Sequence, residues 1–236
     1  MSSIVDLTKK VAVVLEKRNL STDIKAQVGF AIDISGSMQG MYSDGTMQTV
    51  VNRIQALANR FDDNQTLDMW AFHTQGFVLE PAVPSMFGSY VKTHVLNHPD
   101  LWGGTNFAPV LHMITSHYFG GNILKIAAGF LGGLFSKDIK ENTPTLTLPV
   151  YLLFLTDGDD GNITETRELI KGMARDNIYI QFVGIGHGSN FKFPKGLADE
   201  FGHVGFCDFS DISKVTDEQM FESLLSEEFV SWIKGK

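Results

Sequence analysis

Residues 148–156 read Leu-Pro-Val-Tyr-Leu-Leu-Phe-Leu-Thr, and Asp157 and Gly158 follow. No charge interrupts the run until that aspartate. A strand with one wet face alternates apolar and polar residues, whereas a strand covered on both faces stays apolar throughout. The run therefore predicts a central parallel strand that ends at an acid. Residues 26–34 (AQVGFAIDI) repeat the pattern and also reach an acid, Asp33. Residues 178–185 (IYIQFVGI) are a third apolar, β-branched run.

Helical patterns separate these strands. At 46–60, Met47, Val50, Val51, Ile54, Leu57 and Ala58 share one face. Further helices are expected at 87–96, closed by Pro99, and at 107–118, 163–175 and 217–234, with a shorter one before the last strand. Residues 66–72 and 77–80 read as a strand pair, 204–209 as the last strand, and 5–18 as an amphipathic helix or edge element. Strands alternating with helices predict a doubly wound, mostly parallel six-stranded α/β sheet with helices on both faces. The 236 residues fit one such domain, 1–236. Ligands of these folds sit beyond the C-terminal strand ends, at the switch point. The loops after residues 33, 104, 156 and 186 are therefore the ones that matter.

Those loops are rich in oxygen donors. The first is Asp33-Ile34-Ser35-Gly36-Ser37, the next places Thr105 after Gly103-Gly104, and the third is Thr156-Asp157-Gly158-Asp159-Asp160. Carboxylates and hydroxyls are hard ligands suited to Mg²⁺ or Mn²⁺. Asp33, Ser35 and Ser37 alternate, so an extended turn points all three the same way. Asp159 and Asp160 read as a solvated turn.

D-x-S-x-S, a later loop Thr and T-D-G after a central strand resemble the metal-ion-dependent adhesion site (MIDAS) of von Willebrand factor A (VWA) domains. The resemblance implies Ser35, Ser37 and Thr105 as direct ligands, with Asp33 and Asp157 bound directly or through water. It also implies first and fourth strands side by side. The segments VVNRIQALANRFDDNQTLDMWAF, LPVYLLFLTDG and IYIQFVGIG, and the stretch from about Phe201 to Trp232, are similar to the TerF-type VWA proteins of tellurium-resistance clusters. Relatives of that type occur in bacteria, phages and stress-response loci.

The function this implies is a divalent-cation-dependent binding module that engages a partner's Asp, Glu or other anionic oxygen, with Trp102 adding apolar area beside the metal. The alternative is a Mg²⁺-dependent phosphatase or phosphotransferase. Against it, Ser35 and Ser37 lack a His or Lys base within the motif. Ser35 also stands where the haloacid-dehalogenase class needs a second Asp.

Composition narrows the partners. A net charge of -8 and the lack of a basic block argue against nucleic acid. The lone Cys207 cannot form an internal disulfide, in keeping with a reducing cytosol. No charged-then-apolar leader opens the chain and no apolar run reaches the roughly 20 residues of a membrane span, so a cytoplasmic protein is expected. His94 and His98 have zinc-like spacing, but Pro99 closes their helix and no third ligand is near. Gly184-Ile185-Gly186-His187-Gly188 lacks dinucleotide-loop spacing and reads as a tight turn. Residues 119–147 read as an insertion with a broad apolar face, and an extra packed helix, a docking surface and a membrane-surface contact all fit it.

Overall fold

The computed structural model describes residues 2–21, 23–120, 148–174, 177–186 and 191–236. Its sheet contains β1 (Gln27–Asp33), β2 (Leu67–Phe72), β3 (Gly76–Val78), β4 (Val150–Thr156), β5 (Ile178–Ile185) and β6 (Val204–Phe209). The spatial order is β3-β2-β1-β4-β5-β6. β1 lies parallel to both β2 and β4, β5 and β6 continue in parallel, and β3 returns antiparallel along β2. The chain grows outward from β1 on one side and then crosses back to β4, so the switch point lies between β1 and β4.

The helices are α1 (Ile4–Lys17), α2 (Gln39–Ser43), α3 (Thr46–Phe61), α4 (Ala108–Phe119), α5 (Ile163–Met173), α6 (Lys192–Glu200), α7 (Asp217–Leu224) and α8 (Glu227–Lys234). Alternation along the strands divides the core into two layers. Phe30, Ile32, Leu153 and Leu155 pack with Val11, Ile54, Phe221 and Phe229 of α1, α3, α7 and α8. Ala31, Leu152, Phe154 and Phe182 face the other way, against Val110, Ile114, Ile170 and Leu197 of α4, α5 and α6. Every residue of β4 and β5 is buried, which is why both read as unbroken apolar runs.

Two elements differ from the sequence expectation. The helix expected at 87–96 contracts to one π-helical turn, Val91–Val95. Side chains of α3 take its upstream N–H groups: Gln48 Oε1 accepts from Val91 at 2.8 Å and Asn52 Oδ1 from Gly88 at 3.0 Å. The helix expected at 217–234 is two helices, with Ser226 starting the second by accepting the Phe229 N–H at 3.3 Å. Losing such a cap costs about 1 kcal/mol. Ser226→Ala should therefore lower the urea midpoint modestly with an unchanged slope, and an unmoved midpoint would deny the cap its role. Residues 121–147, most of the stretch read as an insertion, and His187 lie outside the described residues. Among the described residues, no helix is long and apolar enough to cross a membrane.

Candidate metal centre

Asp33 ends β1 and Thr156 ends β4 beside it. The Asp33 side chain is fully buried. Its Oδ1 accepts the Ser35 N–H at 2.7 Å and its Oδ2 accepts the Thr156 hydroxyl at 2.8 Å. Tyr42 of α2 donates to the Asp33 carbonyl at 2.8 Å. The first strand end is thus pinned from three sides.

The next loop is laid alongside it. Ser35 bridges to Gly103, Gly36 donates to the Gly103 carbonyl at 3.0 Å, and Trp102 donates to the Ile34 carbonyl at 3.0 Å. A Cβ on Gly103 would sit 2.8 Å from the His73 ring, so only glycine lets this loop press so close. Ser35 and Ser37 hold their hydroxyl oxygens 3.2 Å apart, and Ser37 donates to Asp157 Oδ1 at 2.9 Å. Asp33, Ser35, Ser37 and Asp157 therefore form one hydrogen-bonded series at the switch point. Thr105 is placed through its backbone: Gly161 donates to its carbonyl at 3.1 Å. Among the described residues, the Thr105 hydroxyl has no hydrogen-bond partner.

The electrostatics favour a cation. Among the described residues, neither Asp33 nor Asp157 makes an ion pair. Burial, with the Asp157 charge adding to it, pushes the Asp33 carboxyl up to about 6 despite the hydrogen bonds it accepts. No three His, Cys, Asp or Glu side chains converge among the described residues, so any chelation here must rely on hydroxyls. Oxygens bound at roughly 2.1 Å to Mg²⁺ stand about 3 Å apart at adjacent octahedral corners. The Ser35–Ser37 and Ser37–Asp157 separations of 3.2 and 2.9 Å match that edge. The donor set fits a small hard divalent ion.

Asp160 is a correction to the sequence reading. It is buried rather than solvated, and its Oδ1 accepts the Phe107 N–H at 2.8 Å. Asp159 is exposed, yet its Oδ1 accepts the Phe193 N–H in the first turn of α6 at 3.1 Å. The loop after β4 thus sends one aspartate to the donor series and one to each of two helix N-termini. Trp102 lies next to the Gly103 that bridges to Ser35. It holds a left-handed backbone at φ 69°, and its half-buried ring meets Tyr42 edge-on at 5.6 Å. Sequence reasoning missed Tyr42 and the ordering role of Thr156, though Thr156 stands inside the T-D-G motif. His94 stacks on Tyr90 at 4.9 Å, and the His98 ring lies tilted against Phe77 at 4.4 Å.

Similarity to known proteins follows the same lines. A family model described as the vWA found in the TerF C terminus matches residues 25–128 and 135–236. "Uncharacterized protein YcbR" of Bacillus subtilis (strain 168) is 33% identical over 235 residues, spanning 98% of this chain and 86% of that protein. Among solved structures, proximal thread matrix protein 1 of the mussel byssus, with a zinc-occupied MIDAS motif, aligns with a TM-score of 0.58 at 14% identity. The alignment covers 89% of this chain and 46% of the mussel chain, less than half its length. Manganese-loaded Plasmodium vivax TRAP aligns with a TM-score of 0.54 at 15% identity, over 86% of this chain and 73% of that one. At these identities the structural likenesses show a shared fold.

Proposed function

The chain belongs to the TerF-like branch of the von Willebrand factor A family, and from that premise we propose that it is a divalent-cation-dependent protein-binding module. The metal is Mg²⁺ or Mn²⁺, held by Asp33, Ser35, Ser37, Thr105 and Asp157. When bound, the ion supplies a Lewis-acidic position for an anionic oxygen of the partner, an Asp or Glu carboxylate. The protein's own residues do the rest. Asp33 anchors the loop through the Ser35 N–H, Ser37 and Asp157 align against each other, and the Gly103 contact lays the loop that leads to Thr105 alongside Ser35. The observation that carries this reading is the buried, cation-free Asp33 at the head of the Ser35–Ser37–Asp157 series.

The role is binding rather than catalysis, because among the described residues no His or Lys stands in hydrogen-bond contact with Ser35 or Ser37 to activate a hydroxyl. A TerF-like domain also suits a tellurium-resistance or stress-response setting in the bacterial or phage-infected cytoplasm. Affinity capture with the intact chain in Mg²⁺, run beside Asp33→Ala, tests the reading. A specific partner should be retained by the wild type and absent from the variant. Hydrolysis of phosphomonoesters dependent on Mg²⁺ or Mn²⁺, lost in Asp33→Ala, would instead establish the phosphatase alternative.

A further inference from the structure

Resting on the metal-centre reading, we propose that Asp160 is a positioning residue that sets Thr105 against the metal, although it is not itself a ligand. Thr105 is the one ligand candidate outside the hydrogen-bonded series, so something else must hold it. The structure shows what does. The Thr105 carbonyl accepts from Gly161 at 3.1 Å, the Asn106 N–H donates to the His73 carbonyl at 2.9 Å, and the Phe107 N–H donates to Asp160 Oδ1 at 2.8 Å. Two of these three tethers come from the adjacent residues Asp160 and Gly161. The turn after β4 that carries Asp157 therefore also clamps the loop that carries Thr105, and the two ligands are placed by one piece of backbone.

Gly161 leaves no slack in this clamp. A Cβ there would lie 2.7 Å from the Thr105 carbonyl oxygen, a backbone atom that could yield only by moving Thr105. Asp160 is buried, and it accepts the Phe107 N–H just ahead of α4, where a carboxylate is favoured by the helix dipole. Its second oxygen, Oδ2, is also buried and has no partner among the described residues. That idle oxygen makes a sharp variant available. Asp160→Asn alters Oδ2 and removes the charge while keeping the oxygen that holds Phe107. Partners that orient metal ligands are worth about 10–100-fold in affinity.

The experiment titrates Mn²⁺ alone into the full chain and reads free Mn²⁺ by electron paramagnetic resonance, with melting in EDTA as the folding control. Asp160→Ala should weaken Mn²⁺ binding by about 10–100-fold in the wild-type background and by less than about 2-fold in Thr105→Ala, because its effect runs through Thr105. Asp160→Asn should restore binding to within about 3-fold of wild type. Gly161→Ala should weaken binding without touching any charge, and it supplies the test if Asp160→Ala does not fold. The inference is overturned if Asp160→Ala binds as wild type. It is also overturned if the loss is equally large in Thr105→Ala, or if Asp160→Asn loses as much as Asp160→Ala, which would make the effect one of charge. A wild type that binds Mn²⁺ no better than Asp33→Ala would sink the metal centre itself, and this inference with it.

Discussion

Asp33→Asn should abolish stabilisation by Mg²⁺ or Mn²⁺ and, in EDTA, raise the melting temperature above that of the wild type. The first effect is mass action: an ion that binds only the folded state stabilises it, by about 2.7 kcal/mol at a hundredfold excess over its dissociation constant. Without the Asp33 carboxylate that response should vanish. The second effect follows from burial. The metal-free carboxyl is pushed from the usual 3.8 up to about 6, so its anion is costlier in the folded state than in the unfolded chain. Below pH 3.8 both states hold the proton and no penalty exists. The penalty grows as pH rises and is complete above about 6, where it amounts to about 3 kcal/mol. An asparagine there can keep both hydrogen bonds. Its oxygen can accept from Ser35, and its amide can donate to Thr156 Oγ1, whose own proton can turn to the Gly158 carbonyl at 3.2 Å. The gain in EDTA should therefore be several degrees at pH 7.5 and nearly absent at pH 4. Opposite signs with and without metal cannot come from general misfolding. A variant that still responds to metal, or that melts below wild type in EDTA at pH 7.5, would remove the basis for the site.

The layout of this centre was readable because its strands are covered on both faces. β1, β4 and β5 carry no polar alternation to obscure them, so the Asp33 that ends β1 and the Asp157 that follows β4 stand out. The D-x-S-x-S turn is equally local, its donors lying within five residues. What stayed hidden depends on contacts between distant segments. Asp160 looks like any loop acid until Phe107, 53 residues away, is seen to claim it. Trp102 reads as apolar area beside the metal, and nothing local in the sequence announces its edge contact with Tyr42. The break at Ser226 was invisible for another reason. Met220, Phe221, Leu224, Phe229, Val230 and Ile233 keep an apolar face running through it, so periodicity alone joins two helices into one.

EDTA should release a bound partner, Mg²⁺ should restore it, and Asp157→Ala should release it without unfolding the domain. The charge count of the centre leads there. Asp33 and Asp157 are the only carboxylates among the five proposed ligands, so their formal charge just balances a divalent ion, and the three hydroxyls are neutral. An ion held this way remains more electrophilic than one caged by four carboxylates, and an anionic oxygen from outside is its natural complement. Mg²⁺ demands octahedral geometry and gives up water reluctantly, so the contact should be directional and of moderate strength. Trp102, half-buried beside Ser35, can add apolar area at its rim. The two halves of the test load different parts of the site. EDTA removes the ion and leaves every side chain. Asp157→Ala removes one carboxylate and the Ser37 bond at 2.9 Å, at a partly exposed loop position beyond the buried strand β4. The melting temperature of the variant in EDTA should accordingly stay within a few degrees of wild type, as surface-loop changes usually do. Both treatments should weaken partner affinity by at least about tenfold when followed by surface plasmon resonance or an equivalent assay. A complex indifferent to both would mean that the partner docks elsewhere and that any metal here serves only the fold.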